Sequence, residues 1–437
     1  MSGEKRGFKK YLGGTALISL GFFTMGLMDP LYDNFVPLFL KKYVDSMGVR
    51  NVIMTIDNIF ALFLIPIVAV WSDKARTKIG RRMPFILVTL PLTAILFALL
   101  PFAAASSLAA LIVLIIALNV FKQGARGPVV ALMPDIIPGE YRSEANGVIN
   151  MAGAAAGIIA SLVLGPLMNP VISLPFLGRT AGKLPFLLAA FLVVASVALL
   201  FAFVKERNRD ASSVEERSPI VKSIREIAGA EDKSALLILI AIFLWFFGYQ
   251  GVLPCLSTYM LDIVGVSVGQ TSFAMGAAAV AMIVCAVPAG ILATRFGRKR
   301  IIRASLLALV VVFAAVFLHE PITRSLGLSA PARLYSFLLL MFCFGAFWIA
   351  IIANSFPMLW QMATYANMGM YTAVYYVAKE SSSIISPPLT GLSSDFFGIR
   401  SIFLIAAVSM LAAFFAMGSV KRGEAGERIE TIVAEGA

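Results

Sequence analysis

Residues 70–85 read VWSDKARTKIGRRMPF. An apolar run ends at Asp73, a basic stretch turns around Gly80, and Arg81 and Arg82 lead directly into the next apolar run. The flanks, 51–72 and 84–103, are oily almost throughout. A helix needs about 20 mostly apolar residues to cross the hydrocarbon of a bilayer. Both flanks are therefore predicted to span a membrane, with the quoted turn as the loop between them.

The rest of the chain obeys the same ruler. Of 437 residues, 59% are hydrophobic and only 14% charged, and the mean hydropathy is +0.89. A soluble domain carries about 25% charged residues, so the solvent for most of this surface is lipid. Spans are predicted at 12–40, 51–72, 84–103, 107–134, 146–168, 184–204, 234–261, 270–293, 302–319, 334–360, 367–393 and 400–419. The expected fold is an all-α polytopic membrane protein of twelve transmembrane helices in two six-helix halves. The halves are placed at 1–204 and 234–420, joined by a linker at 205–233 and followed by a tail at 421–437.

The net charge of +12 sits mainly in short segments between spans, which is the membrane pattern rather than a nucleic-acid surface. Lys5, Arg6, Lys9 and Lys10, the quoted loop, and Arg295, Arg298, Lys299, Arg300 and Arg303 put both termini in the cytoplasm of a plasma (inner) membrane protein. Lys41, Lys42, Arg179 and Lys183 are exceptions on the outside. The basic N-terminus leads into a long span holding Asp29 and Asp33 with no small-residue cleavage site, so no removable signal peptide is expected. The linker is balanced, with seven basic and seven acidic residues, and its SPIVKSIREI part is expected to form a short amphipathic helix on the inner face. Cys255, Cys285 and Cys343 lie in apolar runs, which argues against disulfides or a metal cluster. The one histidine, His319, is expected at the surface at a helix end.

The halves echo each other. Ala145-Asn146 recurs as Ala366-Asn367 and Pro166 as Pro387, both at an offset of 221. Pro134 recurs as Pro357 at 223, and Gly80-Arg81 as Gly297-Arg298 at 217. A six-plus-six repeat places a substrate site near the midplane between the halves, exposed alternately to each side.

VWSDKARTKIGRRMPF resembles the loop after the second helix in the major facilitator superfamily. Its spacing before GRR-x-PF is like that of sucrose–proton symporters and the related glycoside–pentoside–hexuronide:cation symporters. RGPVVALMPDIIPGEYRSEANGVIN (126–150) resembles the same group's region between helices 4 and 5. ATRFGRKR (293–300) is similar to the second-half copy of the loop, with Thr294 where the usual aspartate belongs. The resemblance covers essentially the whole chain. It implies a cytoplasmic gate at Asp73, Arg76, Gly80, Arg81, Arg82, Gly297 and Arg298. Such a cluster can pair with carboxylates and helix ends of the neighbouring half, although any inner loop would be basic for topology alone.

Charges at membrane depth mark the candidate site, because each costs about 2.5–3.5 kcal/mol on insertion scales unless it meets a partner or water. They are Asp29 and Asp33 in the first span, Asp57 in the second, Lys122 and Arg126 in the fourth, and Lys379 with Glu380 in the eleventh. Asp29 and Asp33 share a helix face, as do Asn119, Lys122 and Arg126. Lys379 and Glu380 are adjacent, so they are expected to point about 100° apart and to need separate partners. The second half offers Tyr249, Gln250, Trp348, Asn354, Tyr375 and Tyr376, rings and amides that suit a sugar's CH faces and hydroxyls. Trp360 reads instead as an interface anchor. By resemblance, Asp29 matches the first-helix carboxylate of the melibiose-type symporters and Lys379 their helix-11 lysine. Arg126 and Val130 stand where those proteins have an aspartate and a tryptophan, and Ala61 and Ile65, before Pro66, replace their second-helix carboxylates.

The expectation is therefore a secondary transporter importing a glycoside or related sugar with a proton, one of Asp29, Asp33 and Asp57 carrying it. The alternative is a proton-antiport exporter of drugs or metabolites. No catalytic set, metal site or cofactor is expected, the coupling ion is a proton rather than sodium, and the partners are a small molecule and the bilayer, with the protein a monomer.

Overall fold

A computed structural model describes residues 2–138, 141–170, 173–174, 178–180, 182–204, 220–362 and 368–423. Most of the linker, the Ala366-Asn367 repeat and the tail beyond 423 lie outside the described residues. The helices are α1 (Ser2–Leu40), α2 (Met47–Met54), α3 (Ile56–Lys74), α4 (Met83–Ser106), α5 (Leu108–Ile136), α6 (Arg142–Ile158) and α7 (Leu184–Phe203). They continue as α8 (Ile220–Gly229), α9 (Ser234–Tyr259), α10 (Phe273–Phe296), α11 (Arg298–Ser325), α12 (Ala330–Gln361), α13 (Met368–Phe397) and α14 (Ser401–Gly418). A π-helical turn extends α6 through Leu164 and another extends α9 through Val264.

The predicted second span is built from α2 and α3, broken at Thr55. Eleven spans among the described residues are long and apolar enough to cross a membrane. The twelfth is α13, 30 residues long, whose apolar character is interrupted by Lys379, Glu380 and a run of serines. Large side chains such as Val113, Phe191 and Val287 stand about 70% exposed on these helices, a surface suited to lipid. The fold is the twelve-helix one expected.

The chain divides into two compact units: 1–45, 53–214 and 266–276 form the first, and 46–52, 215–265 and 277–437 form the second. In the first, α1 packs on α6 and α7, and α4 on α5 and α7. In the second, α9 packs on α13 and α14, and α11 on α12 and α14. These are the same neighbour relations six spans further on, so the repeat read from scattered residues is also a repeat of packing. The first unit's core joins Met25 of α1, Ile86 and Leu90 of α4, Val129 of α5, Ile149 of α6 and Val197 of α7. In the second, Tyr259 meets Phe403 edge-on at 4.8 Å.

The linker's expected amphipathic helix is α8, which rests on α9 and α13 with Ile227 buried. Just ahead of α9, Asp232 accepts the Ser234 N–H at 3.0 Å. That bond holds the Asp232 carboxyl below its ordinary range. His319 departs from expectation. It is buried, 2.8 Å from the Ser336 hydroxyl, because α11 runs two turns further to Ser325.

The repeated turns share one backbone device. Gly80 and Gly297 both take positive φ, 110° and 94°. A side chain there is strained by about 1–2 kcal/mol. Gly80→Ala and Gly297→Ala are each expected to lower the thermal unfolding midpoint in detergent, whereas Gly13→Ala, in open space, leaves it unchanged. Equal midpoints in all three would show that the turns carry no conformational demand.

Candidate functional site

The site candidates fall into one group in each unit. In the first unit the geometry grows from Lys122, on α5 and only 6% exposed. Its Nζ lies 3.1 Å from Asp29 Oδ1 on α1 and 3.9 Å from Asp57 Oδ2 on α3. The ammonium also sits over the Tyr32 ring, 4.6 Å from its centroid. The Tyr32 hydroxyl accepts a hydrogen bond from Asn119 Nδ2 at 2.9 Å, and the same amide donates to the Ile115 carbonyl at 3.0 Å. Asn119 is fully buried; its Nδ2 positions the tyrosine, and its Oδ1 has no hydrogen-bond partner among the described residues.

One turn along α5, Arg126 Nη2 reaches Asp29 Oδ2 at 3.3 Å, and Nη1 reaches Gln123 Oε1 at 3.4 Å. Its side chain is 40% exposed. The i, i+3, i+7 spacing of Asn119, Lys122 and Arg126 does put all three toward α1, as the sequence implies. Asp33, one turn from Asp29, is half-buried, and among the described residues it makes no ion pair or hydrogen bond through its carboxylate. Pro30 lies between the two aspartates and removes the backbone donor that would otherwise reach the Gly26 carbonyl.

Three carboxylates face two cations here, so full ionisation would leave the cluster one negative charge in excess. A single proton, or one cationic guest, balances it.

The quoted loop folds back on its own unit. Arg81 Nη2 meets Asp135 Oδ1 at 2.5 Å, and Arg82 Nε meets Asp135 Oδ2 at 3.0 Å. Arg82 also pairs with Asp73 and donates to the Ser72 hydroxyl at 2.6 Å and the Ala69 carbonyl at 3.2 Å. Arg76 is exposed and donates to the Asp73 and Ala75 carbonyls of the loop itself. The Gly80 turn, closed by the Thr77 hydroxyl on the Gly80 carbonyl at 2.5 Å, aims both arginines at the end of α5. Asp135 escapes a reading of the sequence because its stretch, LMPDIIP, looks like an ordinary helix end.

In the second unit, Gly297 turns the chain and Arg298 Nη1 lies 3.5 Å from the Pro357 carbonyl. Lys379 Nζ is 3.0 Å from Glu380 Oε1, which corrects the expectation that the two point to separate partners. The 100° between adjacent Cβ atoms is bridged by the lysine's four-carbon stem. Lys379 also lies 5.8 Å from the Phe246 ring centroid. Gln250 Nε2 donates to the Ser383 hydroxyl at 2.6 Å. Tyr249 stacks on Trp348 at 4.6 Å and on Phe344 at 5.8 Å.

Asn354 is buried and spends its amide on the Ala350 carbonyl at 2.8 Å, within its own helix. Tyr375 is buried edge-on against Phe356, while Tyr376 is half exposed. Trp360 donates its indole N–H to Thr372 at 3.0 Å.

The family model of the Major Facilitator Superfamily matches residues 18–352 and 238–431. The chain belongs to that superfamily. Its fold is similar to that of a bacterial homologue of the human lysosomal transporter Spinster in an inward-facing, unoccupied conformation. That match has a TM-score of 0.70 at 14% identity, covering 94% of this chain and 98% of the other. A point mutant of the nucleoside transporter NupG is similar at TM-score 0.70 and 13% identity, over 93% of this chain and all of that one. A bacterial homologue of the iron transporter ferroportin, in an inward-facing state, matches at 0.68 and 17%, over 94% of this chain and all of that one. No curated protein sequence matches. These likenesses establish the fold of a superfamily transporter and leave the cargo to the side chains.

Removing Lys122 strands two carboxylates, and breaking a buried pair costs about 3–5 kcal/mol. Arg126, far more exposed, is worth much less, since exposed pairs contribute about 0–1 kcal/mol. Lys122→Met is therefore expected to lower thermal stability well beyond Arg126→Met, with Lys122→Met/Asp29→Asn recovering part of the loss. Equal effects of the two single substitutions would remove Lys122 from its central place.

Proposed function

We propose that this superfamily transporter imports a glycoside or related sugar together with a proton, by alternating access. The observation that carries the coupling is the first-unit cluster: Lys122 engages Asp29 and Asp57, while Asp33 stands without a pair among the described residues and the group is one positive charge short. Asp33 is the carboxylate that takes a proton without breaking an ion pair. Asp29, shared by Lys122 and Arg126, reports that event to α5. The absence of carboxylates at Ala61 and Ile65 supports a proton over sodium.

The sugar reading rests on the resemblance to the symporter group and on the second unit's polar and aromatic groups. Gln250 with Ser383, and Lys379 with Glu380, supply donors and acceptors beside Tyr249 and Phe246. We place the protein in the plasma membrane as a monomer with both termini in the cytoplasm, following the lysine and arginine bias of the loops. The Asp73, Arg81 and Arg82 network then braces the cytoplasmic end of the first unit.

The excess negative charge favours one second reading, a proton-antiport exporter of a cationic substrate, with the cation and the proton competing for Asp33.

Purified protein in vesicles loaded with a pH dye separates these. Addition of a transported sugar from a panel of glycosides is expected to acidify the lumen, with no change when sodium is replaced by potassium. Asp33→Asn is expected to abolish proton movement while sugar binding, read as a thermal shift, persists. A sodium requirement overturns proton coupling. Alkalinisation on adding organic cations, with no response to sugars, establishes the exporter instead.

A further inference from the structure

The apolar stretch Met47–Lys74 is a single span, yet its start, 46–52, groups with the second unit and the remainder with the first. The span beginning at Val268 does the reverse: 266–276 groups with the first unit and 277 onward with the second. The two exchanged starts are copies of each other. Ser46-Met47-Gly48 recurs as Ser267-Val268-Gly269 at an offset of 221, the offset that also relates Pro166 to Pro387.

Each start is clasped by one side chain of its unit. Asp395, in the last turn of α13, accepts the Ser46 hydroxyl and the Met47 N–H at 2.6 Å each, and the Gly48 N–H at 3.0 Å. Asn169, just beyond the end of the fifth span, accepts the Gly269 N–H at 3.0 Å and donates to the Ser267 hydroxyl at 2.8 Å. One turn deeper the correspondence continues. Asn51 donates to the Pro387 carbonyl at 2.7 Å, and Ser272, 221 positions later, donates to the Ser161 carbonyl at 2.6 Å. The backbones touch in both places: a Cβ on Gly391 would lie 2.7 Å from Gly48 Cα, and one on Gly269 would lie 2.8 Å from the Pro166 carbonyl.

The two clasps differ in chemistry. Hydrogen bonds to an ionised acceptor are roughly twice as strong as neutral ones. Asp395 makes three of them, with Arg50 of the next turn adding a cation, while Asn169 makes two neutral ones. The span clasped by Asp395 is also the one divided into two helices, at Thr55, three residues after the division between units.

We propose that Asp395 is a conformational latch: it fixes residues 46–52 to α13, Thr55 is the hinge on which α3 moves with the first unit, and release of this charged latch, rather than of its neutral copy at Asn169, limits opening at this end of the transporter. The latch requires only that the protein changes state as transporters do. It depends on neither the proton nor the sugar.

Spin labels at Val52→Cys and Ile385→Cys, both about half exposed, read the α2–α13 separation in lipid nanodiscs by pulsed dipolar spectroscopy, with Cys255, Cys285 and Cys343 replaced by serine. The parent is expected to give one dominant short distance. Asp395→Ala is expected to raise the long-distance fraction about tenfold relative to the short one, the scale of losing a charged hydrogen bond. The shape-conserving Asp395→Asn is expected to raise it severalfold, and Asn169→Ala to leave this pair unmoved. Unchanged distances in Asp395→Asn, or an equal response to Asn169→Ala, would overturn the proposal. Because no substrate enters the measurement, its outcome is separate from the transport assay.

Discussion

An ammonium group that lies at bilayer depth and is almost wholly withheld from water has few stable surroundings, and Lys122 occupies one of them. Its insertion cost is about 2.5–3.5 kcal/mol before any partner is counted. Asp29, Asp57 and the face of Tyr32 answer that cost from two other helices and hold α1, α3 and α5 to one another through charge. The arrangement then propagates. Asn119 fixes the Tyr32 hydroxyl, Arg126 takes the second oxygen of Asp29, and Asp33 is left, among the described residues, as the carboxylate of the cluster without an ion pair of its own. Chemical availability at Asp33 is thus a consequence of how fully Lys122 is satisfied.

The second unit treats its charges differently. Lys379 and Glu380 pair within a single turn of α13, so no other helix is needed to neutralise them. A pair carried on one helix moves with that helix intact. The first-unit cluster cannot do this, because any shift of α1, α3 or α5 changes a distance inside it. One half therefore couples charge to helix position, and the other presents a self-contained dipole beside Gln250 and Ser383.

Much of this was legible in the sequence, for reasons that are local. Spans follow from runs of apolar residues, the turns at Gly80 and Gly297 from a backbone conformation that glycine alone adopts easily, and the charged candidates from their rarity in such runs. What escaped was partner choice, which depends on side-chain reach and tertiary approach. Helical-wheel angles separated Lys379 from Glu380, yet a flexible stem spans that angle. Asn354 looked available but bonds its own helix, and Asp135 looked unremarkable until the Gly80 turn delivered two arginines to it. The serine-glycine starts at 46–48 and 267–269 were visible as letters, but their meaning depends on Asp395 and Asn169, which are far away in sequence and differ in chemistry, a carboxylate in one half and an amide in the other.

That last mismatch bears on how a duplicated fold acquires direction. The backbone devices recur in both halves: the glycine turn, the packing order and the clasped helix starts. The charges do not. Lys122, Asp29 and Asp57 have no copies in the second unit, and the clasp at Asp395 is ionic where its counterpart is an amide. Two identical halves related about the membrane normal would share every such interaction equally. With the architecture repeated in both, a few uncopied carboxylates are sufficient to make the two halves unequal, and charge then depends on helix position in the first half in a way the second does not copy.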